Sequence, residues 1–177
     1  NFLLDPVSTY FILAISVIGF VAAVYSIGYT RLYVNKCDTR FLGFTYNIFL
    51  ASMLLVVTAN NAVVFMIVWE LMTVVSFFLV IYEHENPANM KAGFMYLIMA
   101  HIGAVLLSVA FFIMFAYTGT WDFGFDDFRK VGSHMPLIYK NVVFFLVIIG
   151  FGIKAGIFPL HLWLPMAHPA APSNVSM

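Results

Sequence analysis

The chain has 177 residues, 63% hydrophobic and only 9% charged, with eight basic side chains against eight acidic ones. Soluble domains carry about 25% charged residues, so this composition excludes a soluble globular protein, and the neutral balance gives no surface for nucleic acid. The class that fits is an all-α polytopic transmembrane helix bundle whose partner is the lipid bilayer.

A spanning helix needs about 20 mostly apolar residues, and five stretches qualify. The first runs from about Val7 to Ile27, after the start signal Asp5-Pro6, and the second from about Phe41 to Ala59. Between them lies "GYTRLYVNKCDTR", which holds the single cysteine, Cys37. One thiol neither closes an intrachain disulfide nor holds an iron–sulfur cluster, which takes about four thiolates. Cys37 reads as an inert loop thiol, and the segment is expected to carry no cofactor or metal. The third span runs from about Ala62 to Tyr82, separated from the second by Asn60 and Asn61. "EHENPANMK" leads into the fourth, about Ala92 to Tyr117, with Pro87 in or just before its first turn. The longest connection, "TGTWDFGFDDFRKVGSHMPLIYK", is expected to hold a short surface helix.

The fifth span begins near Asn141 and runs into "IIGFGIKAGIFPLHLWLPMAHPAAP". Pro159 removes a backbone donor, so a helix broken near Pro159 is expected at the C-terminal end of the segment. Such breaks are tolerated at membrane depth only inside protein or beside water. Here the break is expected to supply water and freed carbonyls to Lys154. Gly152 and Gly156 form a G-x-x-x-G spacing that admits a close neighbouring helix. The chain starts at Asn1 and stops at Met177 without a polar tail, and no leader peptide is visible. Residues 1–177 are therefore expected to be a fragment of a longer membrane domain.

Arg31, Lys36, Arg40 and Lys91 fall on one side of the membrane, and Arg129, Lys130 and Lys140 on the other. The small excess puts the first set in the cytoplasm.

Subtracting the loop charges leaves Glu70 and Lys154 inside the spans, joined by His101. At about 1.5 Å per residue, they lie about 12, 20 and 15 Å from the membrane faces their helices cross first. In a core about 30 Å thick they share a middle layer. Each ion there costs roughly 2.5–3.5 kcal/mol, and such residues are functional or paired. Two readings stay open: a structural Glu70–Lys154 pair with a hydrogen-bonded His101, or a proton relay. Desolvation disfavours the charged form of acid and base alike, which poises both to exchange protons. Glu70 and Lys154 are expected to face each other within roughly 8 Å, room for a bridging water, with His101 on the same interior axis. His161 and Lys91 are candidates for a secondary proton path. His161 and His168, seven residues apart, have no metal-site logic and read first as polar packing and water contacts.

"WELMTVVSFFLV" around Glu70 and "GFGIKAGIFPLHLWLPMAHPAAPSNVSM" around Lys154 resemble the antiporter-like membrane subunits of respiratory complex I, Mrp cation/proton antiporters and membrane-bound hydrogenases. "YNIFLASMLLVVTANN", "YLIMAHIG" and "PLHLWLPMAHPAAPS" are most similar to the branch of hydrogenase-4 component B and formate hydrogenlyase subunit 3. The resemblance implies a bundle of fourteen helices with two inverted repeats, this chain supplying the third to seventh, in a bacterial or archaeal cell membrane. It implies that Glu70 and Lys154 are the proton-transfer pair, that the seventh helix is the broken one, and that the loop before it faces outward. His101 stands where some relatives carry an aspartate. The implied function is proton translocation in a membrane-bound hydrogenase or formate hydrogenlyase. The other membrane subunits and a peripheral hydrogenase/iron–sulfur arm would be its partners, and the chain itself would carry no redox site. A complex I or Mrp subunit is the alternative within the family, and a structural anchor with a vestigial ion pair the alternative outside it.

Overall fold

The computed structural model describes residues 2–30, 39–119, 121, 123–173 and 175–176. Cys37, Arg31 and Lys36 lie outside the described residues. Among the described residues seven helices follow in order: α1 (Pro6–Tyr29), α2 (Thr39–Thr58), α3 (Ala62–Val80), α4 (Pro87–Ala116), α5 (Phe125–His134), α6 (Leu137–Ala155) and α7 (Leu164–Ala170). α1, α2, α3, α4 and α6 are long and apolar enough to cross a membrane.

Helix starts follow local chemistry. The Asp5 carboxylate accepts the Ser8 N–H at 2.6 Å, ahead of Pro6. Asn61 caps α3 through Val63 N at 3.0 Å and Val64 N at 3.3 Å. Asn86 accepts Ala88 N at 3.0 Å, and Pro87 takes the first helical position, where its missing N–H costs nothing. α4 thus begins at Pro87 rather than Ala92. Its 30 residues span about 45 Å at 1.5 Å each, so its ends, Lys91 included, reach past the hydrocarbon.

In lipid, helices associate through close packing of small residues rather than apolar burial. The buried face of α4 is Ala92, Gly93, Tyr96, Ala100, Gly103, Ala104, Leu107 and Ala110. It lies against α6, α3 and α7. A Cβ built on Gly103 would come within 2.9 Å of the Gly150 carbonyl oxygen, and one on Gly150 within 3.0 Å of the Gly103 oxygen. The close helix crossing therefore uses Gly103 and Gly150, not Gly152 and Gly156 as the G-x-x-x-G spacing implied. α1 sits at the edge, with only Gly19 and Ala22 buried.

Two rims result. On one, Leu3 N donates to Thr58 O at 2.8 Å and Ala62 N to Phe123 O at 2.9 Å, gathering the chain start, the α2–α3 turn and the segment before α5. α5, the expected surface helix, docks here on Phe128 and Val131. On the other, Ser173 N donates to Tyr29 Oη at 3.2 Å, and Val175 packs on Leu42, Leu79 and Tyr82.

The helix break lies earlier than Pro159. Gly156, at φ 69°, ends α6 in the left-handed conformation that glycine adopts without a Cβ penalty. Gly156 N donates to Ile153 O at 3.2 Å and Ile157 N to Gly152 O at 2.9 Å, the paired closure of a Schellman motif. The Trp163 indole N–H donates to Ile153 O at 2.7 Å. The Gly152 and Ile153 carbonyls at the break are thus taken by backbone and indole donors, not by Lys154 as the sequence implied. Pro159 follows within the turn, after a cis peptide bond.

Candidate functional site

Lys154 stands in the last turn of α6, where the carbonyl end of the helix favours a cation. Its Nζ donates to Thr73 Oγ1 at 2.9 Å and Tyr96 Oη at 2.6 Å. Thr73 is fully buried on α3 and Tyr96 is buried on α4. The Trp69 ring lies 5.7 Å from Nζ, within cation–π range of about 6 Å. Nζ is 4.9 Å from the Tyr96 ring centre, a distance set by the contact with the phenol oxygen rather than by a face-on approach.

The hydroxyl protons around Lys154 can be assigned. Thr73 donates to Trp69 O at 3.0 Å, so its oxygen accepts from Lys154. Ser76 Oγ donates to Thr73 O at 2.9 Å and lies 2.5 Å from Tyr96 Oη. With the serine proton committed, the phenol donates to Ser76 and accepts from Lys154. Each hydroxyl has one proton, and every one points away from Nζ. The pocket presents two acceptors and a π face, which suits an ammonium.

Glu70 lies three residues before Thr73 on α3. Its partner is His101, with Nε2 3.4 Å from Oε2, not Lys154. Among the described residues Glu70 and Lys154 form no ion pair within 4.0 Å. His101 Nδ1 lies 2.8 Å from Leu97 O. A carbonyl only accepts, so Nδ1 carries a proton, and a neutral ring then presents a lone pair at Nε2 to the carboxylate. The contact is attractive only with a proton between the two, on imidazole or on carboxyl. Glu70 and His101 therefore form a dyad that a single proton, on imidazole or on carboxyl, can bridge.

His101 does not face the interior axis. Its side chain is 50% exposed, against 34% for Glu70. It lies about 100° around α4 from buried Ala100, on the flank where Leu97, Ile98, Ile102, Val105 and Leu106 form an open apolar surface.

The proposed secondary path is not brought to Lys154. Lys91 is exposed near the start of α4. His161 sits in the turn after the break with its ring 5.5 Å from Phe158, and its buried Nδ1 has no hydrogen-bond partner among the described residues. His168 instead shares a cavity of about 290 Å³ with Lys154, Ser76, Tyr96 and Trp163. The sequence reading missed Thr73, Ser76 and Tyr96. The available signal was two hydroxyls three and six residues beyond Glu70 on an otherwise apolar helix.

Residues 59–177 match the family model described as NADH:quinone oxidoreductase/Mrp antiporter, transmembrane. The chain belongs to that family. It is an antiporter-like integral membrane subunit. It is 40% identical over 173 residues to hydrogenase-4 component B of Escherichia coli K12, covering 98% of this chain and 25% of that protein. It is 29% identical over 168 residues to formate hydrogenlyase subunit 3 of the same organism, covering 95% of this chain and 25% of the relative. The chain thus spans about a quarter of the length of these curated relatives. A chain in the structure of the membrane-bound sulfane sulfur reductase, an archaeal respiratory membrane complex, superposes with a TM-score of 0.84 at 20% identity. That match covers 96% of this chain and 33% of the other, and it supports the fold alone.

Proposed function

We propose that this chain carries a proton-transfer relay of Glu70, His101 and Lys154 within a proton-translocating subunit of a hydrogenase-4 or formate hydrogenlyase type complex. The observation that carries the reading is the Glu70–His101 contact at 3.4 Å, three residues along α3 from the Thr73 hydroxyl that holds Lys154. When a neutral Lys154 amine reaches protonated Glu70, the carboxyl O–H bond breaks and an N–H bond forms, leaving carboxylate and ammonium. The ammonium then releases its proton toward the cavity it shares with His168. Moving one charge across about 100 mV costs roughly 2.3 kcal/mol. The energy would come from electron transfer in partner subunits bearing nickel–iron and iron–sulfur centres, next to the other membrane subunits. The 40% identity to hydrogenase-4 component B supports this branch over a complex I or Mrp assembly.

The test is Lys154→Met in the full-length subunit, assembled in its complex in vesicles. Methionine keeps a long apolar stem for packing but removes the proton carrier. Proton movement per electron should be abolished while the complex stays assembled. A normal ratio would make Lys154 structural.

A further inference from the structure

The hydroxyls that hold Lys154 belong to side chains that are themselves buried, Thr73 fully and Tyr96 nearly so. Thr73 and Tyr96 come from two different spans, α3 and α4, and meet a lysine from a third, α6. Each is oriented by a bond that consumes its own proton, Thr73 on Trp69 O and Tyr96 on Ser76, so both can only accept from the lysine. Glu70 lies three residues from Thr73 on the same helix, where side chains are neighbours at about 5–6 Å. A lysine stem with four rotatable methylenes covers that distance without moving α6.

We propose that Thr73 and Tyr96 are positioning residues that dock the Lys154 ammonium one helical turn from Glu70, holding cation and carboxylate apart while Glu70 shares its proton with His101. This rests on the relay reading and deepens it by assigning the lysine a resting place. Without the dock, Lys154 would fall onto Glu70, the nearest anion on α3, and the pair would lock. The groups facing Lys154 from neighbouring elements are Glu70 and Trp69 on α3, Tyr96 on α4 and His168 across the shared cavity.

The experiment reads the position of Lys154 through its effect on Glu70. Dicyclohexylcarbodiimide modifies a protonated carboxyl in an apolar setting. The carboxyl proton passes to one carbodiimide nitrogen, the carboxylate oxygen bonds to the central carbon, and the acyl group then migrates to nitrogen as a stable acylurea. The adduct on the Glu70 peptide is quantified by mass spectrometry in membranes holding the assembled complex. The variants are Tyr96→Phe, Thr73→Val and their combination. Phenylalanine keeps the buried ring, and valine keeps the branched shape. Each lost hydroxyl removes a hydrogen bond to a charged group, which shifts a position equilibrium by about tenfold. Lys154 should move onto Glu70, keep it ionised, and slow Glu70 modification by about that factor in either single variant and further in the double. Thr73→Ser, which keeps the acceptor, should stay at the unsubstituted rate. In a Lys154→Met background the hydroxyl substitutions should have no effect on Glu70 at all.

An unchanged Glu70 rate in Tyr96→Phe and in Thr73→Val overturns the dock, and so does a loss that persists without Lys154. If the double variant does not assemble, Tyr96→Phe alone gives the same reading. Proton movement per electron, measured in parallel, separates this inference from the relay itself. Slowed modification with a normal ratio in Lys154→Met would leave the dock standing and sink the relay. A ratio lost in Lys154→Met with unchanged modification in the hydroxyl variants would do the reverse.

Discussion

Glu70 and His101 stand 3.4 Å apart as one pair, so removing either partner dissolves the same unit. Positioned proton-transfer groups contribute on the order of 10²-fold or more. Glu70→Gln and His101→Phe should each reduce proton movement by about that much. Because the dyad acts as one group, the double variant should be no slower than the slower single, a strongly non-additive cycle. Multiplying losses would show that the two act independently. The pairing was only half legible in the sequence. Shared depth brought Glu70, His101 and Lys154 into one layer, but depth says nothing about rotation around the helix axis. His101 sits about a quarter-turn from the small buried stripe of α4, and this puts it against Glu70 on the flank rather than in the interior. The hydroxyl cage was invisible because Tyr96 reaches Lys154 across 58 residues and Thr73 across 81, pairings that no local pattern encodes.

Between helices the geometry hangs on two glycines. Gly103 and Gly150 let α4 and α6 meet backbone to backbone, with Tyr96 seven residues before one and Lys154 four residues after the other. An alanine at Gly103 would set a Cβ 2.9 Å from a carbonyl oxygen that cannot rotate away. Gly103→Ala should therefore destabilise the bundle by about 1–3 kcal/mol, seen as a lower unfolding midpoint of the solubilised complex, and should part Lys154 from Tyr96. At Gly43, inside α2 where an added Cβ meets nothing within 4 Å, the same substitution should not lower the midpoint, since alanine favours the helix over glycine. The starts of α1 and α3 were readable because Asp5-Pro6 and Asn61 are local signals, whereas α4 was placed at about Ala92, inside the start that Asn86 and Pro87 set. The end of α6 was misplaced because Pro159 is the louder breaker, while Gly156 ends the helix through a left-handed turn that needs no proline. At the start of α1 the Ser8 N–H, donated to the Asp5 carboxylate at 2.6 Å, holds its pKa below the ordinary 3.8. A carboxyl depressed on folding stabilises the helix above 3.8, and the effect is lost as pH falls through the folded value. Amide exchange at Ser8 should thus lose protection only below about pH 4, and Asp5→Asn should remove that pH dependence.

At the scale of the molecule, two rims carry the orientation. The chain start, the α2–α3 turn and α5 share one, so Arg129, Lys130 and Lys140 stand on the same face. Asp127 beside Lys130, at 2.9 Å, pushes that ammonium's pKa up and keeps it charged. The opposite rim holds Arg40, the 81–86 connection and Lys91. A charge count separates these faces only weakly, because positive residues bias topology while acidic ones contribute little. Membership of each face is far better defined by the hydrogen bonds that tie the segments together, Leu3 N–H to Thr58 O and Ala62 N–H to Phe123 O on one, Ser173 N–H to the Tyr29 hydroxyl on the other. The expected placement puts α5 outside and the 81–86 connection in the cytoplasm. Ser133 on α5 and Glu85 in that connection are both exposed, and neither touches the Lys154 site. With Cys37 and any other native cysteine of the full-length subunit replaced by serine, Ser133→Cys should react with a membrane-impermeant maleimide in right-side-out vesicles and be protected in inverted ones. Glu85→Cys should do the opposite. Because the two probes sit on opposite rims of one bundle, they must exchange together. If Ser133→Cys labelled only in inverted vesicles while Glu85→Cys labelled only in right-side-out ones, the fold would stand with its orientation reversed, and the cavity shared by Lys154 and His168 would open toward the other side of the membrane. If both labelled from the same side, the five-span topology would be wrong.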